Sequence, residues 1–211
     1  AGGKTLALAA LMAADAAGAG DGAAVGGAAV DGAVDGAAGH IIAADTDRRR
    51  LQQLPPRAER AGAAMVDICL LNPMQEHVAL TPWMGRADVV LVDAPCSGTG
   101  TWRRNPEGRW RLTPPRYDRL RAEQSRLLDV AAKLVAPGGA LVYAVCAITR
   151  GEGEEQVANF LARQGRGWRS VDAMATAGAP HGVGRSAGAG HVLTPLHDGT
   201  DGFFIARIER G

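Results

Sequence analysis

DVVLVDAPCSGTG, residues 88–100, is the most informative stretch of this 211-residue chain. Its first half is an apolar run that ends at Asp93, the pattern of a buried strand in a parallel sheet. Its second half sets a carboxylate, a rigid proline and the thiol of Cys96 directly after that strand. An ordinary turn needs neither an acid nor a thiol. The stretch therefore predicts a functional site that contains Asp93 and Cys96.

Two further apolar runs also end in polar or reactive side chains. HIIAAD (residues 40–45) predicts a strand that ends at Asp45, and ALVYAVC (residues 140–146) predicts one that ends at Cys146. Ligands bind α/β sheets at the carboxyl ends of the strands, so these side chains are candidates for one site. If the strands of the two thiols are neighbours, Cys96 and Cys146 face each other. Two thiols near an acid favour covalent catalysis over magnesium-dependent phosphoryl transfer.

The remaining pattern alternates helices with strands and predicts an α/β domain with a mostly parallel sheet, covering residues 1–211. The predicted helices are residues 4–14, a stretch from Asp45 to about Ala61 that Pro55-Pro56 breaks, 116–135, and 152–163. The further predicted strands are 65–71 and a closing antiparallel pair in HVLTP and GFFIARIE. Pro137-Gly138-Gly139 is expected to stop the 116–135 helix, and the Gly/Ala-rich residues 15–39 to form a flexible loop.

The first five residues, AGGKT, place two glycines directly before a predicted helix. Such a loop lets backbone N–H groups approach a ligand at the helix N-terminus. The segment alone leaves two interpretations open. It is the end of a cofactor loop, or it is the tail of a Walker A loop, in which case VVLVD carries the acid that holds magnesium.

Composition narrows the class of protein. No apolar run reaches the roughly 20 residues that span a bilayer, so we expect no membrane partner. The three cysteines, Cys69, Cys96 and Cys146, come without an export signal, which predicts free thiols and a cytoplasmic protein. They lack C-x-x-C spacing, so we expect no metal site. No apolar stripe indicates an oligomeric state.

Charge is unevenly distributed along the chain, although its net value is only +1. Eight arginines lie between Arg103 and Arg126, against three acids. This local excess fits the neutralisation of phosphates, as in nucleic-acid binding. It equally fits a solvated helix face whose arginine stems pack on the protein.

At these motifs the chain resembles the RsmB/Nop2/Sun family of RNA cytosine-5 methyltransferases, over essentially its whole length. The matching segments, in order, are AGGKT, IIAADTDRRRL, DAPCSGTGTWRRNPEGRW, LVYAVC with GEGEEQV, and TDGFFIARIER. The resemblance implies a Rossmann-like methyltransferase sheet with helices on both faces and a C-terminal antiparallel hairpin. It implies S-adenosylmethionine as cofactor and RNA as substrate, ribosomal RNA in preference to transfer RNA.

The resemblance also implies roles for individual residues. Asp45 would accept hydrogen bonds from the ribose hydroxyls of the cofactor, and Asp93 would lie between cofactor and target base. Cys146 would be the nucleophile that adds to cytosine C6, and Cys96 would assist release of the product. The methionine and ribose end of the cofactor would contact Ala1, Gly2, Gly3 and Lys4.

The chain departs from the family pattern at several points. It begins within the cofactor loop, so we expect the family's first strand and N-terminal RNA-binding region to be absent from it. Val145 and Ala147 flank Cys146 where the family usually has threonine and serine. A catalytically impaired RNA-binding relic is therefore an alternative to an active enzyme, and a P-loop NTPase is a more distant one.

Overall fold

A computed structural model describes residues 39–176 and 182–211, together with Lys4, Thr5 and Leu8. The chain divides into two compact units, which meet in sequence between Pro82 and Trp83. Lys4, Thr5 and Leu8 are helical, as predicted. The other residues of the predicted 4–14 helix lie outside the described part of the chain, as does all but the last residue of the predicted 15–39 loop.

The first unit is built on two parallel strands joined by short helices. Its elements, in order, are β1 (Ile41–Asp45), α1 (Arg48–Gln52), α2 (Pro55–Arg60), β2 (Val66–Leu70), α3 (Glu76–Leu80) and a 3-10 turn at Thr81–Trp83. Strands β1 and β2 pair in parallel. Asp47 caps α1, and Pro55 begins α2 because proline fits the first turn of a helix but not its interior. The predicted break at Pro55-Pro56 is confirmed.

The second unit holds a six-stranded sheet within the described residues, in the order β3-β4-β8-β7-β6, with β5 also pairing with β8. Its elements are β3 (Ala87–Asp93), a 3-10 turn at Thr99–Thr101, α4 (Gly108–Arg111), α5 (Pro114–Ala132), β4 (Val135–Val145), α6 (Glu154–Gln164), a 3-10 turn at Gly165–Gly167, β5 (Trp168–Val171), α7 (Ala173–Thr176), β6 (Arg185–Ala187), β7 (Gly190–Leu193), α8 (Pro195–Asp198) and β8 (Phe203–Arg210). Strands β3 and β4 are parallel, and the C-terminal strands pair antiparallel.

The core of the second unit lies where α5 and α6 pack near strands β4 and β8. Helix α5 buries one side of its surface at intervals of three and four residues, through Gln124, Leu128 and Ala131. Strand β4 is buried along most of its length, and its Tyr143 contacts Phe204 of β8 edge to face, with ring centroids 6.3 Å apart. This packing makes the end of β4 a rigid support for the residues that follow it.

Strand β4 is longer, and helix α5 ends earlier, than the sequence predicts. The helix expected at 116–135 ends at Ala132, and Pro137-Gly138-Gly139 lies inside β4 instead of stopping the helix. Pairing with β3 begins at Val135 and resumes at Ala140, so the residues between them form a bulge. A proline without an N–H and a glycine with φ of 78° suit that bulge. The prediction was wrong because the same residues can end a helix or interrupt a ladder.

The remaining predicted elements are present with small shifts. The strands predicted at 65–71 and 88–93 are β2 and β3, and the helix predicted at 152–163 is α6, which begins at Glu154. The predicted closing pair is confirmed as β7 and β8, and β6 adds a hairpin that the sequence did not predict. The α/β class is confirmed, with parallel pairing in the strands that end at Asp45, Asp93 and Val145.

Candidate active site

The two predicted thiols come from neighbouring strands. Asp93, the last residue of β3, pairs in register with Ala144 of β4, so both strands end at the same edge of the sheet. Cys96 lies three residues after Asp93, and Cys146 directly follows Val145, the last residue of β4. The Sγ atoms of the two cysteines lie 3.3 Å apart, and both side chains are half-buried. The expected meeting of the thiols is therefore observed.

Contact with Cys146 affects the ionisation of the Cys96 thiol. The pKa of Cys96 is raised well above the ordinary range, first because its thiol hydrogen-bonds to Cys146 and second because it is buried. The negative charge of Glu152 raises the pKa further, while a hydrogen bond from the backbone of Gly98 opposes the shift. The protonated form of Cys96 is therefore favoured while its sulfur contacts that of Cys146.

A buried carboxylate, Glu152, fixes the loop that carries Cys96. Its Oε1 accepts hydrogen bonds from the backbone N–H of Ser97 at 2.7 Å and from the amide of Gln124 at 3.1 Å. Its Oε2 accepts from the hydroxyl of Ser97 at 2.5 Å and from that of Thr149 at 2.8 Å. Glu152 has no exposed surface, yet all four contacts satisfy its oxygens. It joins the loop after β3, helix α5 and the segment after β4.

Further hydrogen bonds hold this junction in place. The amide of Gln124 also donates to the carbonyl of Pro95 at 2.9 Å, and Gln156 donates to the carbonyl oxygen of the Gln124 side chain at 3.3 Å. The hydroxyl of Tyr143 donates to the backbone carbonyl of Glu152 at 2.8 Å. The acids after Cys146 are visible in the sequence, but this network was not predicted. The polar Gln124 on the buried face of α5 is the sequence signal that could have indicated this network.

The loops of the two cysteines also touch each other directly. The N–H of Gly100 donates to the carbonyl of Cys146 at 3.1 Å, and the N–H of Gly202, just before β8, donates to the carbonyl of Gly100 at 2.8 Å. A Cβ placed on Gly100 would lie 1.9 Å from the carbonyl oxygen of Gly202. Only glycine fits this approach, which explains why the loop of residues 93–100, the signature loop, needs Gly100.

Of the predicted cofactor residues, Asp93 ends β3 in the second unit, and the others belong to the first unit. Asp45 ends β1 with its side chain 31% exposed; Oδ1 accepts the N–H of Asp47 at 2.9 Å, and Oδ2 lies 3.8 Å from Arg50. A carboxylate that is held by the backbone but open to solvent suits the acceptance of ribose hydroxyls. Lys4 is helical and exposed. Ala1, Gly2 and Gly3 lie outside the described residues.

Several arginines of the arginine-rich segment, residues 103–126, form ion pairs with acids outside the segment. Arg103 and Arg104 both pair with Asp201, the former at 3.7 Å, while Arg121 pairs with Glu155 at 3.0 Å. These cations therefore hold the segment against the rest of the second unit. In the part of the chain described, no group of His, Cys, Asp or Glu is arranged to hold a metal ion, and no helix could cross a membrane.

Known proteins with similar sequences and folds have a defined chemistry. Residues 22–209 match the family model of the 16S rRNA methyltransferases RsmB/F. A probable ribosomal RNA small subunit methyltransferase B from Synechocystis is 38% identical over 173 residues, which are 82% of this chain and 38% of that protein. The chain thus spans well under half the length of this curated relative.

Two solved structures are similar to this chain in both fold and sequence. PH0851 superposes with a TM-score of 0.70 and 31% identity, over 82% of this chain and 37% of that one. NSun6 from Pyrococcus horikoshii, solved with the cofactor analogue SFG, superposes with a TM-score of 0.66 and 25% identity, over 82% of this chain and 41% of that one. S-adenosylmethionine is the cofactor of this fold, which is Rossmann-like. The chain belongs to the family of the 16S rRNA methyltransferases RsmB/F.

Proposed function

We propose that this domain methylates C5 of a cytosine in RNA, through a covalent bond between Cys146 and C6 of the base. The observation that carries the proposal is the pair of thiols 3.3 Å apart at the ends of two neighbouring parallel strands. Family membership supports RNA methylation, and the relatives' names point to small-subunit ribosomal RNA. That substrate would place the reaction in the cytoplasm.

The reaction requires a nucleophile from the enzyme because C5 of cytosine is itself a poor nucleophile toward a sulfonium methyl group. Addition of the Cys146 sulfur to C6 turns C5 into an enamine-like carbon, and Asp93 would supply the proton or hydrogen bond at N3 that stabilises the developing charge. S-adenosylmethionine supplies the electrophilic methyl group. Transfer of the C5 proton to water then re-forms the C5–C6 double bond as the C6–S bond breaks; Cys146 leaves as a thiolate, and a proton at N3 returns to Asp93.

The raised pKa of Cys96 supports a division of labour between the thiols. The two sulfurs are in contact, and a thiol at Cys96 that keeps its proton would donate a hydrogen bond that stabilises a thiolate at Cys146. The same proton donor is beside Cys146 when its sulfur leaves the base. Cys96 would thus assist elimination while Cys146 forms the covalent bond.

Methylation of small-subunit ribosomal RNA by the purified protein tests the proposal. Nucleoside mass spectrometry should detect 5-methylcytidine with the wild-type protein and none with Cys146→Ala. Cys96→Ala should accumulate a covalent RNA adduct, visible as a slow band in denaturing gels, that the additional Cys146→Ala change removes. Methylation by Cys146→Ala, or a different methylated nucleoside, would overturn the proposal.

The relic alternative has its own signature in the same experiment. Val145 and Ala147 beside Cys146 are both fully buried. Neither side chain has a hydroxyl that could donate a hydrogen bond to the sulfur, as the threonine and serine usual in the family could. A protein that binds RNA but forms no adduct with RNA containing 5-azacytidine would be a relic. Family membership disfavours the P-loop NTPase, and preferential binding of ATP over S-adenosylmethionine would restore it.

A further inference from the structure

A large aromatic side chain stands in solvent close in sequence to the signature loop. Trp110, in the short helix α4, is 75% exposed. The guanidinium of Arg109 lies 4.3 Å from the centroid of its ring, in a cation–π contact. This contact uses only part of the indole surface, so a broad apolar face remains open to a ligand.

A cleft of about 250 Å³ adjoins this helix. Its lining includes Ser97, the residue next to Cys96, together with Asn105, Glu107, Arg111 and Arg116. The cleft is smaller than the roughly 300–1,000 Å³ pockets that enclose whole drug-sized ligands. Its size suits part of one nucleotide, and Ser97 places it beside the thiol pair.

The two cleft arginines are exposed and available to a ligand. Within the described residues, Arg111 and Arg116 form no ion pair, whereas Arg103, Arg104 and Arg121 of the same segment are paired with carboxylates. The only acid in the cleft lining is Glu107, so two positive charges face one negative charge. The Nη1 of Arg116 donates to the carbonyl of Arg111 at 3.5 Å, which keeps the two residues together.

The cleft is fixed relative to the signature loop. The N–H groups of Arg104 and Asn105 both donate to the carbonyl of Thr101, each at 2.9 Å. The indole of Trp102 packs so closely under Gly108 that a Cβ on this glycine would lie 3.3 Å from the ring. Local hydrogen bonds and packing therefore hold α4 and its tryptophan close to the loop that carries Cys96.

We propose that this cleft and Trp110 bind a nucleotide that neighbours the target cytosine in single-stranded RNA. Arg111 and Arg116 would contact its phosphate, and the open face of Trp110 would stack on its base. The inference rests on the proposed function for the identity of the ligand. Stacking on aromatic side chains combined with arginine contacts to phosphate is the way proteins hold unpaired RNA bases, whereas an acidic peptide would make no use of Trp110.

Binding of a fluorescently labelled single-stranded RNA oligonucleotide, measured by anisotropy without cofactor, tests the proposal. Trp110→Ala should weaken binding about tenfold, as removal of one stacked base does, and Trp110→Phe should restore most of the affinity. Arg111→Ala with Arg116→Ala should lower the slope of log affinity against log salt by about 0.7 for each phosphate that the variant no longer neutralises.

Matched controls separate the cleft from general effects. Leu196→Ala removes another highly exposed large side chain, 86% exposed, from the second unit. Arg60→Ala with Arg166→Ala removes the same two charges from other exposed positions. Neither control should change affinity as much as the corresponding cleft variant.

The outcomes distinguish this proposal from the proposed function. If the cleft variants bind RNA as the wild-type protein does while 5-methylcytidine still forms, the subsite is wrong and the function stands. If they bind RNA weakly but the wild-type protein forms no 5-methylcytidine, the subsite stands and the function is wrong. A wild-type protein that does not bind the oligonucleotide, or an acidic peptide that competes equally against wild-type and Trp110→Ala proteins, would also overturn the subsite.

Discussion

Replacing Glu152 with alanine should lower the free energy of unfolding by about 4 kcal/mol. The change leaves two hydrogen-bond donors without an acceptor, and neither donor can turn to another one. They are the backbone N–H of Ser97 and the second N–H of the Gln124 amide. Each buried donor left without a partner costs about 1–3 kcal/mol. The hydroxyls of Ser97 and Thr149 can rotate, so they add less.

Glu152→Gln is the matched control because it keeps the shape of the side chain. Its carbonyl oxygen can take the place of Oε1, where the donors are fixed N–H groups. Its NH₂ can take the place of Oε2, where the hydroxyls of Ser97 and Thr149 can turn to accept. The cost is then the weakening of charge-assisted bonds to neutral ones, about 1–2 kcal/mol.

Urea unfolding with linear extrapolation measures both values. In the methylation assay, the turnover of Glu152→Gln should fall while its affinity for S-adenosylmethionine stays unchanged, because the carboxylate positions the Cys96 loop. The reasoning is refuted if Glu152→Ala unfolds within about 1 kcal/mol of the wild-type protein, or if the two variants lose the same stability.

Three further predictions concern single contacts. Gly100→Ala should lower the free energy of unfolding by at least about 1–3 kcal/mol, because its new Cβ would meet a backbone oxygen. Gly167→Ala is the control, since nothing lies within 4 Å of its new Cβ, and thermal unfolding should show no comparable loss of stability. Asp45→Ala should weaken S-adenosylmethionine binding by about 1–3 kcal/mol in calorimetry, and unchanged affinity would move the ribose contact elsewhere. Cys146→Ala removes the hydrogen bond that most raises the pKa of Cys96, so that pKa should fall and iodoacetamide should alkylate Cys96 faster at mildly alkaline pH; an equal rate in peptide mass spectrometry would contradict this.

Much of the fold was predictable because buried parallel strands are short apolar runs with clear ends. Asp45 and Asp93 mark the ends of β1 and β3 in the sequence as they do in the structure. The bulge at Pro137-Gly138-Gly139 was not predictable, because whether such residues end an element or interrupt it depends on the partner strand. That partner, β3, lies more than 40 residues earlier in the chain.

The meeting of the two thiols in the candidate site could be predicted from the sequence, but the buried Glu152 that supports the Cys96 loop could not. The meeting of Cys96 and Cys146 followed from two strand ends and one assumption about neighbouring strands. Glu152 was not predicted as buried, because carboxylates are rarely buried unless paired, and its partners Ser97 and Gln124 lie 55 and 28 residues away. A glutamine at a position where α5 should be apolar was the available signal, since a buried amide requires polar partners.

The contact between the two thiols gives a reason why they would have separate roles. Both sulfurs are half-buried and in contact, so only one can readily lose its proton. The hydrogen bond to Cys146, then burial, and to a smaller extent the negative charge of Glu152 raise the pKa of Cys96. In the proposed mechanism Cys96 keeps its proton, and the sulfur that loses its proton is that of Cys146. Glu152, which fixes the Cys96 loop, therefore also contributes to keeping Cys96 protonated.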